Sequence, residues 1–437
     1  MNSLAAAGLA IIAMFMVLIA SRRVSALVAL LLLPIPFALM LGHGADLGQM
    51  TVDGVKQVAP TAFLIGFAIL FFATMIDAGL FAPLGARIVR LCGDDPVKAV
   101  VGAGILSICV AFSGDGISTT LIVGAAMLPV FERLRLRRVV LACLIGQAVA
   151  IQNLSPWAGP TPRVAAALGV DAAQIYIAIL PSVIAGSLAL IAISWRLGVV
   201  ERRRLARDEG KCENGPEPSI AMHDGEDAAR PHLLLFNMAL TAAVFAMLIS
   251  GTGPAMLLFA GAYAIGVMVN YPSLAEQRKR FAAHGSNVAE LIALLFAAGI
   301  FTGIMQGTGM IDALAQGVIR GLPAGLGDRL GPVVAALSAP MTFFLPNDAF
   351  FFGAMPIAAE AGRDFGYTTL DMARASVLGQ SLHVLSPLVP GVYVFCSILG
   401  VELGEYQRFA IRWALLIVAI TIAVALISGA VPISGGA

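Results

Sequence analysis

Residues 111–120, with the sequence AFSGDGISTT, interrupt a long apolar segment of the chain. The apolar runs on either side, 99–112 and 117–130, are about 14 residues long. A helix of this length rises only ~21 Å, short of the ~30 Å hydrocarbon core of a bilayer. Gly-Asp-Gly exposes backbone polar groups, which a membrane tolerates only where they are buried in protein or line a wet cavity. The stretch therefore predicts a re-entrant helical hairpin over 99–131, with a polar tip near mid-membrane; a kinked core helix is the alternative.

The composition is typical of an all-α polytopic membrane protein. Of the 437 residues, 59% are hydrophobic and 12% are charged, and the mean hydropathy is +0.91. A net charge of +1 gives no reason to expect a nucleic-acid partner. The five cysteines show no CxxC spacing, so they indicate neither a disulfide framework nor a zinc site. Arg22 and Arg23 follow the first apolar segment, which indicates a spanning helix with its N-terminus outside rather than a cleaved signal.

Further apolar segments have the length and spacing of spanning helices. In the first half they cover 4–20, 25–42, 61–81, an interrupted 138–170 and 174–196. In the second half they cover 232–250, 254–270, 287–308, an interrupted 372–400 and 409–430, with a second broken run at 331–360. The polar segment 197–231 lies between the halves, and its Gly, Pro and charged residues predict a disordered linker.

Short motifs recur in the same order in the two halves. MIDA at 75–78 returns at 310–313, and the pair GQ and LSP at 146–147 and 154–156 returns at 379–380 and 385–387. Five full crossings per half place the start of the second half on the opposite side of the membrane from the first. The sequence therefore predicts two inverted-topology repeats, 1–196 and 232–437, each with five spans (one interrupted) and a re-entrant hairpin. Such repeats with broken helices are typical of secondary transporters.

The distribution of basic residues predicts the orientation. With the N-terminus outside, all but six of the 27 Lys and Arg residues lie on the cytoplasmic side, as the positive-inside rule requires. We expect a multi-pass protein of the cell inner (plasma) membrane with both termini outside and linker 197–231 in the cytoplasm. Hairpin 99–131 then enters from the cytoplasm, and hairpin 331–360 from outside.

Polar side chains at the two hairpin tips are the first candidates for a site. Ser118, Thr119 and Thr120 open the second limb of the first hairpin, where hydroxyls and free N–H groups favour an anion. Simple N-capping is the alternative. Asp115 lies deep in the membrane, where an ionisable group is costly unless it is paired or functional.

Asn347 and Asp348 occupy the tip of the second hairpin. Asn347 can cap a helix start, and symmetry brings Asp348 near Asp115. Two carboxylates beside an anion site require a cation, either a metal ion or a transported proton. We therefore predict a metal or proton-coupling role for both aspartates, with structural capping as the alternative.

The interrupted spans supply the remaining candidates, since their prolines and glycines free backbone polar groups. These are Asn153, Ser155, Gly159 and Thr161 in the first break, and His383 and Ser386 in the second. Arg163 follows the first break and could bind a carboxylate through two hydrogen bonds, or anchor the chain at lipid headgroups. His383 could carry a proton, or be a satisfied core histidine.

Four stretches resemble the signature sequences of the CitMHS family, citrate–divalent metal:proton symporters of the ion transporter superfamily. They are SGDGISTT (113–120), NLSPWAGPTPRVAAAL (153–168), PNDAFFFGAMP (346–356) and ARASVLGQSLHVLSPLVP (373–390). The similarity covers nearly the whole chain. It implies proton-coupled import of citrate with Mg²⁺ or Ca²⁺, no permanently bound cofactor, a scaffold and a transport domain, a homodimer, and an elevator-like step. Pro346 departs from the family pattern, in which Ser often precedes the Asn-Asp pair.

The charge of the substrate is compatible with these residues. Fully ionised citrate is costly to bury, and a divalent cation lowers the charge of the complex to about −1. Ser118, Thr119, Asn347, Ser155 and Ser386 would then line the carboxylate site. The alternatives are a sodium-coupled di- or tricarboxylate transporter, another organic-anion or oxyanion carrier of the superfamily, or, in a different class, a membrane-embedded enzyme or a channel. An enzyme is not expected, since HExxH and GxSxG motifs are missing from the sequence.

Overall fold

The computed structural model describes residues 3–20, 24–208, 229–250, 252–321 and 325–436, and within these ranges the regular structure is helical. The first half contains α1 (Ser3–Ala20), α2 (Ala26–Leu32), α3 (Pro34–Met40), α4 (Leu47–Asp77), α5 (Ala82–Cys92), α6 (Pro96–Ala111), α7 (Gly116–Arg133), α8 (Arg138–Gln152), α9 (Pro160–Leu168) and α10 (Ala172–Asp208). The second half contains α11 (Leu234–Ile249), α12 (Ala255–Asn270), α13 (Leu274–Gly307), α14 (Met310–Gly321), α15 (Leu330–Phe344), α16 (Met355–Asp364), α17 (Thr369–Val377), α18 (Gln380–His383), α19 (Pro390–Leu399) and α20 (Leu403–Ile427).

Apolar helices of spanning length confirm the predicted all-helical membrane class. In the described part of the chain, five segments are long and apolar enough to cross a bilayer: Leu47–Asp77, Ala172–Arg207, Pro231–Leu248, Val288–Gly307 and Leu403–Ile427. Shorter apolar helices, including α6, α8 and α12, accompany them. A helix satisfies its own backbone polar groups, which is why this architecture suits a bilayer.

The chain turns back on itself at α6–α7 and at α15–α16. Arg133 at the end of α7 donates to the carbonyl of Gly93, just before α6, at 2.8 Å and closes the base of the first hairpin. At the tip, Gly114 has a φ of +82°, a left-handed conformation that glycine adopts without strain. The base of the second hairpin is held by the Tyr367 hydroxyl, which donates to the Asp328 carbonyl at 2.7 Å. A π-helical turn, Ala349–Ala354, follows its tip.

The bases of the two hairpins lie at opposite ends of the segment α17–α19. This segment begins beside the second base, where Tyr367 and the capping box of Thr368 and Asp371 start α17. It ends at Gly400, whose Cβ, if present, would lie 2.5 Å from a guanidinium nitrogen of Arg138 at the start of α8. Arg138 in turn pairs with Glu132 near the end of α7. The two hairpin bases therefore contact the two different ends of this chain segment.

Helices α4 and α13 pack against each other along glycines. On α13, Gly299 and Gly303 are four residues apart and face α4. A Cβ on Gly299 would lie 2.6 Å from the Gly54 carbonyl oxygen, and one on Gly303 would lie 2.5 Å from the Met50 carbonyl oxygen. Small residues at this spacing let two helix backbones approach closely in a membrane. An apolar cluster that includes Phe15 joins these two helices to α1 and α2.

The predicted disordered linker begins too early, because α10 continues to Asp208. Glu201 is fully buried and its carboxylate pairs with Arg137 at 2.6 Å and with Arg204 at 3.0 Å. These ion pairs stabilise the extra helical turns, so a linker boundary at 196 is wrong. Residues 209–228 of the predicted linker lie outside the described residues. The chain returns at Arg230, whose amide donates to the Ala78 carbonyl at the end of α4 at 3.0 Å.

Candidate substrate site between the two hairpin tips

A central cavity of about 300 Å³ lies where both hairpin tips meet both helix breaks. Its polar lining is Asp115, Asn153, Gly159, Arg163, Asn347, His383 and Tyr406. Much of the rest is apolar and includes Ile117, Val149, Val384, Val392 and Phe395. A few placed polar groups in an apolar wall are characteristic of a small-molecule site. The structure thus brings six of the predicted site residues into one cavity.

Asp115 caps the start of α7 and lines the cavity at the same time. One carboxylate oxygen accepts from the amide of Ile117 at 3.0 Å, and the other accepts from the Ser118 hydroxyl. Asp115 therefore does cap the helix, which the sequence analysis gave as the alternative to a metal or proton-coupling role. A carboxylate has about four lone-pair positions, so these two bonds leave capacity for a cation.

Trp157 fixes the first tip against the first break. Its indole N–H donates to the Phe112 carbonyl at 3.0 Å, and its ring packs between Phe112 and Phe72. A Cβ on Gly114 would lie only 2.9 Å from this ring. The tip and the break are therefore held as one unit.

Arg163 and Asp348 form an ion pair between α9 and the second tip. The guanidinium Nε donates to Oδ1 of Asp348 at 2.6 Å, and Nη1 donates to the Gly159 carbonyl at 2.6 Å. The two side chains are only 18% and 19% exposed. Arg163 is thus part of the protein interior rather than an anchor at lipid headgroups.

His383 and Asn347 are polar residues of the cavity lining. Nδ1 of His383 lies 2.7 Å from the Thr342 carbonyl, which can only accept, so Nδ1 carries a proton. In the neutral ring Nε2 is then an acceptor. Oδ1 of Asn347 is buried without a hydrogen-bond partner among the described residues. A buried polar atom left unpaired costs about 1–3 kcal/mol, which a ligand donor or a cation would recover.

The other predicted residues lie around the cavity without lining it. The hydroxyls of Thr119, Thr120, Thr161 and Ser386 donate to the backbone carbonyls of Asp115, Gly116, Leu154 and Phe343, respectively, at 2.6 to 2.8 Å. The Ser155 hydroxyl is buried with no partner in the described ranges. Asp348 reaches the lining through Arg163. These contacts shape the tips and breaks, and direct ligand roles for these hydroxyls stay predictions.

A second cavity of about 420 Å³ lies on the other side of the first tip and contains residues that the sequence did not single out as ligands. Asp115, Ile117 and Gly159 line both cavities, and Ser118 lines only this one. Asp77 faces it from α4 and pairs with His284 at 2.9 Å and Arg280 at 3.3 Å. Tyr406 of the central cavity was also missed. A single tyrosine on an apolar helix gives no sequence signal.

The central cavity suits a metal ion that arrives with ligands of its own. Among the described side chains, no three of His, Cys, Asp or Glu come close enough together to hold a metal. Mg²⁺ is usually bound through one or two protein carboxylates, with the other positions filled by substrate oxygens and water. Asp115 lines the cavity and offers one carboxylate, while a metal-binding role for Asp348, which pairs with Arg163, stays a prediction.

Comparison with known proteins identifies the family. The sequence model of the CitMHS family, described as "Citrate transporter", matches residues 9–379. The chain belongs to the CitMHS citrate transporter family. A "Citrate transporter" of Bacillus subtilis (strain 168) is 44% identical over 94% of this chain and 95% of its own length. A "Mg(2+)/citrate complex secondary transporter" of the same organism is 43% identical over 99% of this chain and 100% of its own length.

Two solved transporters share the fold. The YdaH transporter of Alcanivorax borkumensis superposes with a TM-score of 0.62 over 90% of each chain, at 12% identity. MtrF of Neisseria gonorrhoeae, described as illuminating a class of antimetabolite efflux pumps, superposes with a TM-score of 0.58 over 92% of this chain and 88% of its own, at 14% identity. At these identities the likeness concerns the fold alone. Within CitMHS, the chain is a multi-pass membrane transporter, and the enzyme alternative is excluded.

Proposed function

We propose that this transporter imports citrate as a complex with Mg²⁺ or Ca²⁺, coupled to protons, by elevator-like alternating access. The observation that carries the proposal is the central cavity, where Arg163, Asp115 and Asn347 line a single space between the two tips. A cation-binding carboxylate and an anion-binding guanidinium suit a cargo that carries both charges. The Mg²⁺/citrate transporter of Bacillus subtilis, with 43% identity, supports this cargo.

Each part of the complex has a partner in the site. The guanidinium of Arg163 and the N-terminus of α7 at Ser118 suit citrate carboxylates, because both present N–H donors and positive charge. Oxygens of Asp115, Asp348 and Asn347 suit a hard divalent cation. Nε2 of His383 can accept a hydrogen bond from the citrate hydroxyl.

The coupled proton requires a titratable group in the same space. Asp115 and His383 both line the central cavity, so either can take up a proton as the cargo binds. A metal–citrate complex of charge −1 becomes neutral with one proton and positive with more. Import with two or more protons would therefore also be driven by the membrane potential.

The architecture that we propose has two inverted repeats, a scaffold built on α4 and α13, a transport domain that carries the hairpins, and a homodimeric assembly. The glycine packing of α4 on α13 and the opposed hairpin bases support it. The excess of Lys and Arg on one side supports termini outside the inner membrane and a cytoplasmic linker. Ser434 is exposed near the C-terminus, so Ser434→Cys should react with an impermeant maleimide in intact cells.

The substrate proposal is tested by uptake of labelled citrate into vesicles that contain the purified protein. We expect uptake with Mg²⁺ or Ca²⁺ and none when EDTA removes both, because citrate alone brings too much negative charge to Asp115 and Asp348. Succinate should compete poorly, since it lacks the third carboxylate and the hydroxyl. Uptake that ignores metal and follows sodium would instead support the sodium-coupled carboxylate alternative.

A further inference from the structure

The ion pair of Arg163 and Asp348 uses only part of the hydrogen-bonding capacity of each side chain. Nε donates to Oδ1 at 2.6 Å, so the pair is held by one hydrogen bond rather than by the stronger two-bond arrangement. In the described structure, Nη2 of Arg163 and Oδ2 of Asp348 have no hydrogen-bond partner, and neither atom is fully buried. While the pair is formed, Arg163 thus keeps one free donor nitrogen and Asp348 keeps one free acceptor oxygen.

Arg163 is positioned to exchange its partner. Its Nη1 donates to the Gly159 carbonyl at 2.6 Å, which holds the guanidinium at the edge of the central cavity independently of Asp348. Asp348 belongs to the other half of the chain and is next to Asn347, which lines the same cavity. Opening the pair would leave an unpaired cation at the edge of the cavity and an unpaired anion beside Asn347.

We propose that this ion pair selects for the metal–citrate complex, because it opens only when both of its partners are replaced at once. Free citrate can satisfy Arg163, but it adds negative charge beside an unpaired Asp348. A free divalent cation can satisfy Asp348, but it leaves Arg163 without a counterion. Leaving one member of a largely buried charge pair without a counterion is strongly unfavourable, so each half of the cargo alone meets a barrier that the complex avoids.

The inference rests on the proposed function and concerns why neither ion binds alone. The test measures binding of labelled citrate to the purified full-length protein, with Mg²⁺ or with EDTA, and of Mg²⁺ without citrate by calorimetry. In the wild type we expect citrate with Mg²⁺ to bind at least about tenfold more tightly than citrate with EDTA. Asp348→Asn should bind metal-free citrate at least about tenfold more tightly than the wild type does, and it should lose metal-dependent uptake.

Arg163→Gln should show the reverse behaviour. With its cationic partner gone, Asp348 should bind Mg²⁺ without citrate, while binding of citrate with Mg²⁺ becomes weaker. The double variant Arg163→Gln/Asp348→Asn removes both charges and leaves neither of them unpaired. It should therefore fold even if a single variant does not. In it, the ratio between the two citrate affinities should fall towards one.

The matched control is Glu360→Gln. Glu360 pairs with Arg363 at 2.9 Å in the same hairpin, but neither residue lines the central cavity. This variant should keep the wild-type affinity ratio. If Asp348→Asn gains no affinity for metal-free citrate, or if the double variant keeps the wild-type ratio, the selection mechanism is overturned while the proposed function stands. A wild type that binds neither form of citrate would overturn both.

Discussion

The hydroxyl side chains after the first tip differ in what they contact. Thr119 is fully buried and donates to the Asp115 carbonyl at 2.6 Å, one turn back on the same helix. Ser118 is partly exposed, donates to the Asp115 carboxylate and lines the cavity on the α4 side. Of these two adjacent hydroxyls, only that of Ser118 belongs to a residue that lines a cavity, so we propose a site role for Ser118 and a structural role for Thr119.

Thr119→Val and Ser118→Ala test this difference. Thr119→Val keeps the side-chain shape and removes one local hydrogen bond, so the KM for metal-dependent citrate uptake should change by less than about threefold. Ser118→Ala removes a donor from a carboxylate in the site and should raise KM by about tenfold, since hydrogen bonds to charged groups contribute about 1.5–3 kcal/mol. A larger effect from Thr119→Val than from Ser118→Ala would place the threonine hydroxyl on the cargo.

At the residue scale, the sequence was a better guide to which residues lie together than to which residues form hydrogen bonds or ion pairs with each other. Asp115, Asn153, Arg163, Asn347 and His383 do line one cavity, because irregular backbone within apolar segments is tolerated only where it is buried in protein or lines a cavity. The pairing of Arg163 with Asp348 was not predicted. It joins residues 185 positions apart, and no local pattern encodes such a contact.

At the scale of elements, the contact between α4 and α13 depends on the missing side chains of glycines. A Cβ on Gly54 would collide with the carbonyl group of Gly299, whose carbon would lie only 2.8 Å away. The carbonyl group of Gly299 belongs to the helix backbone, so it cannot move aside without separating the two helices. The two helices are long and apolar, and this contact sets their distance.

Gly54→Ala should therefore destabilise the protein although it adds only a methyl group. Overpacking of this kind costs about 1–3 kcal/mol, and for a chain of this length we expect the melting temperature in detergent to fall by about 1–3 °C. Gly48→Ala is the control on the same helix, because Gly48 is exposed and has no atoms within 4 Å of its Cβ position. Equal melting temperatures for the two variants would show that the helices do not pack through Gly54.

Helix ends were predicted well where local chemistry determines them and poorly where tertiary contacts do. Gly-Asp-Gly at 114–116 and the prolines at 156–162 give breaks at the expected places. By contrast, α10 extends through its charged end because Glu201 is buried with two arginines, and α13 starts at Leu274 rather than near 287. Because 197–208 and 274–286 are rich in charged residues, the sequence pattern placed both segments outside the membrane-spanning helices.

At the scale of the whole molecule, two cavities lie on either side of the first tip. Asp115, Ile117 and Gly159 line both, so the tip is the wall between the central cavity and the cavity that faces α4 and α13. In the mechanism that we propose, movement of the hairpins past α4 and α13 would expose the cargo on alternate sides. The cytoplasmic ends of the helices, by our orientation, carry the Asp77, Arg280 and His284 cluster at the second cavity.

The measurement that tests the central claim most directly is the pH inside vesicles while metal–citrate enters. Vesicles that contain the purified protein and a trapped pH-sensitive dye would receive citrate, Mg²⁺ or both, with the membrane potential held at zero. We predict that the interior acidifies only when citrate and Mg²⁺ are added together, in step with uptake of labelled citrate. Citrate uptake without acidification, or acidification with citrate in the presence of EDTA, would contradict proton-coupled transport of the complex.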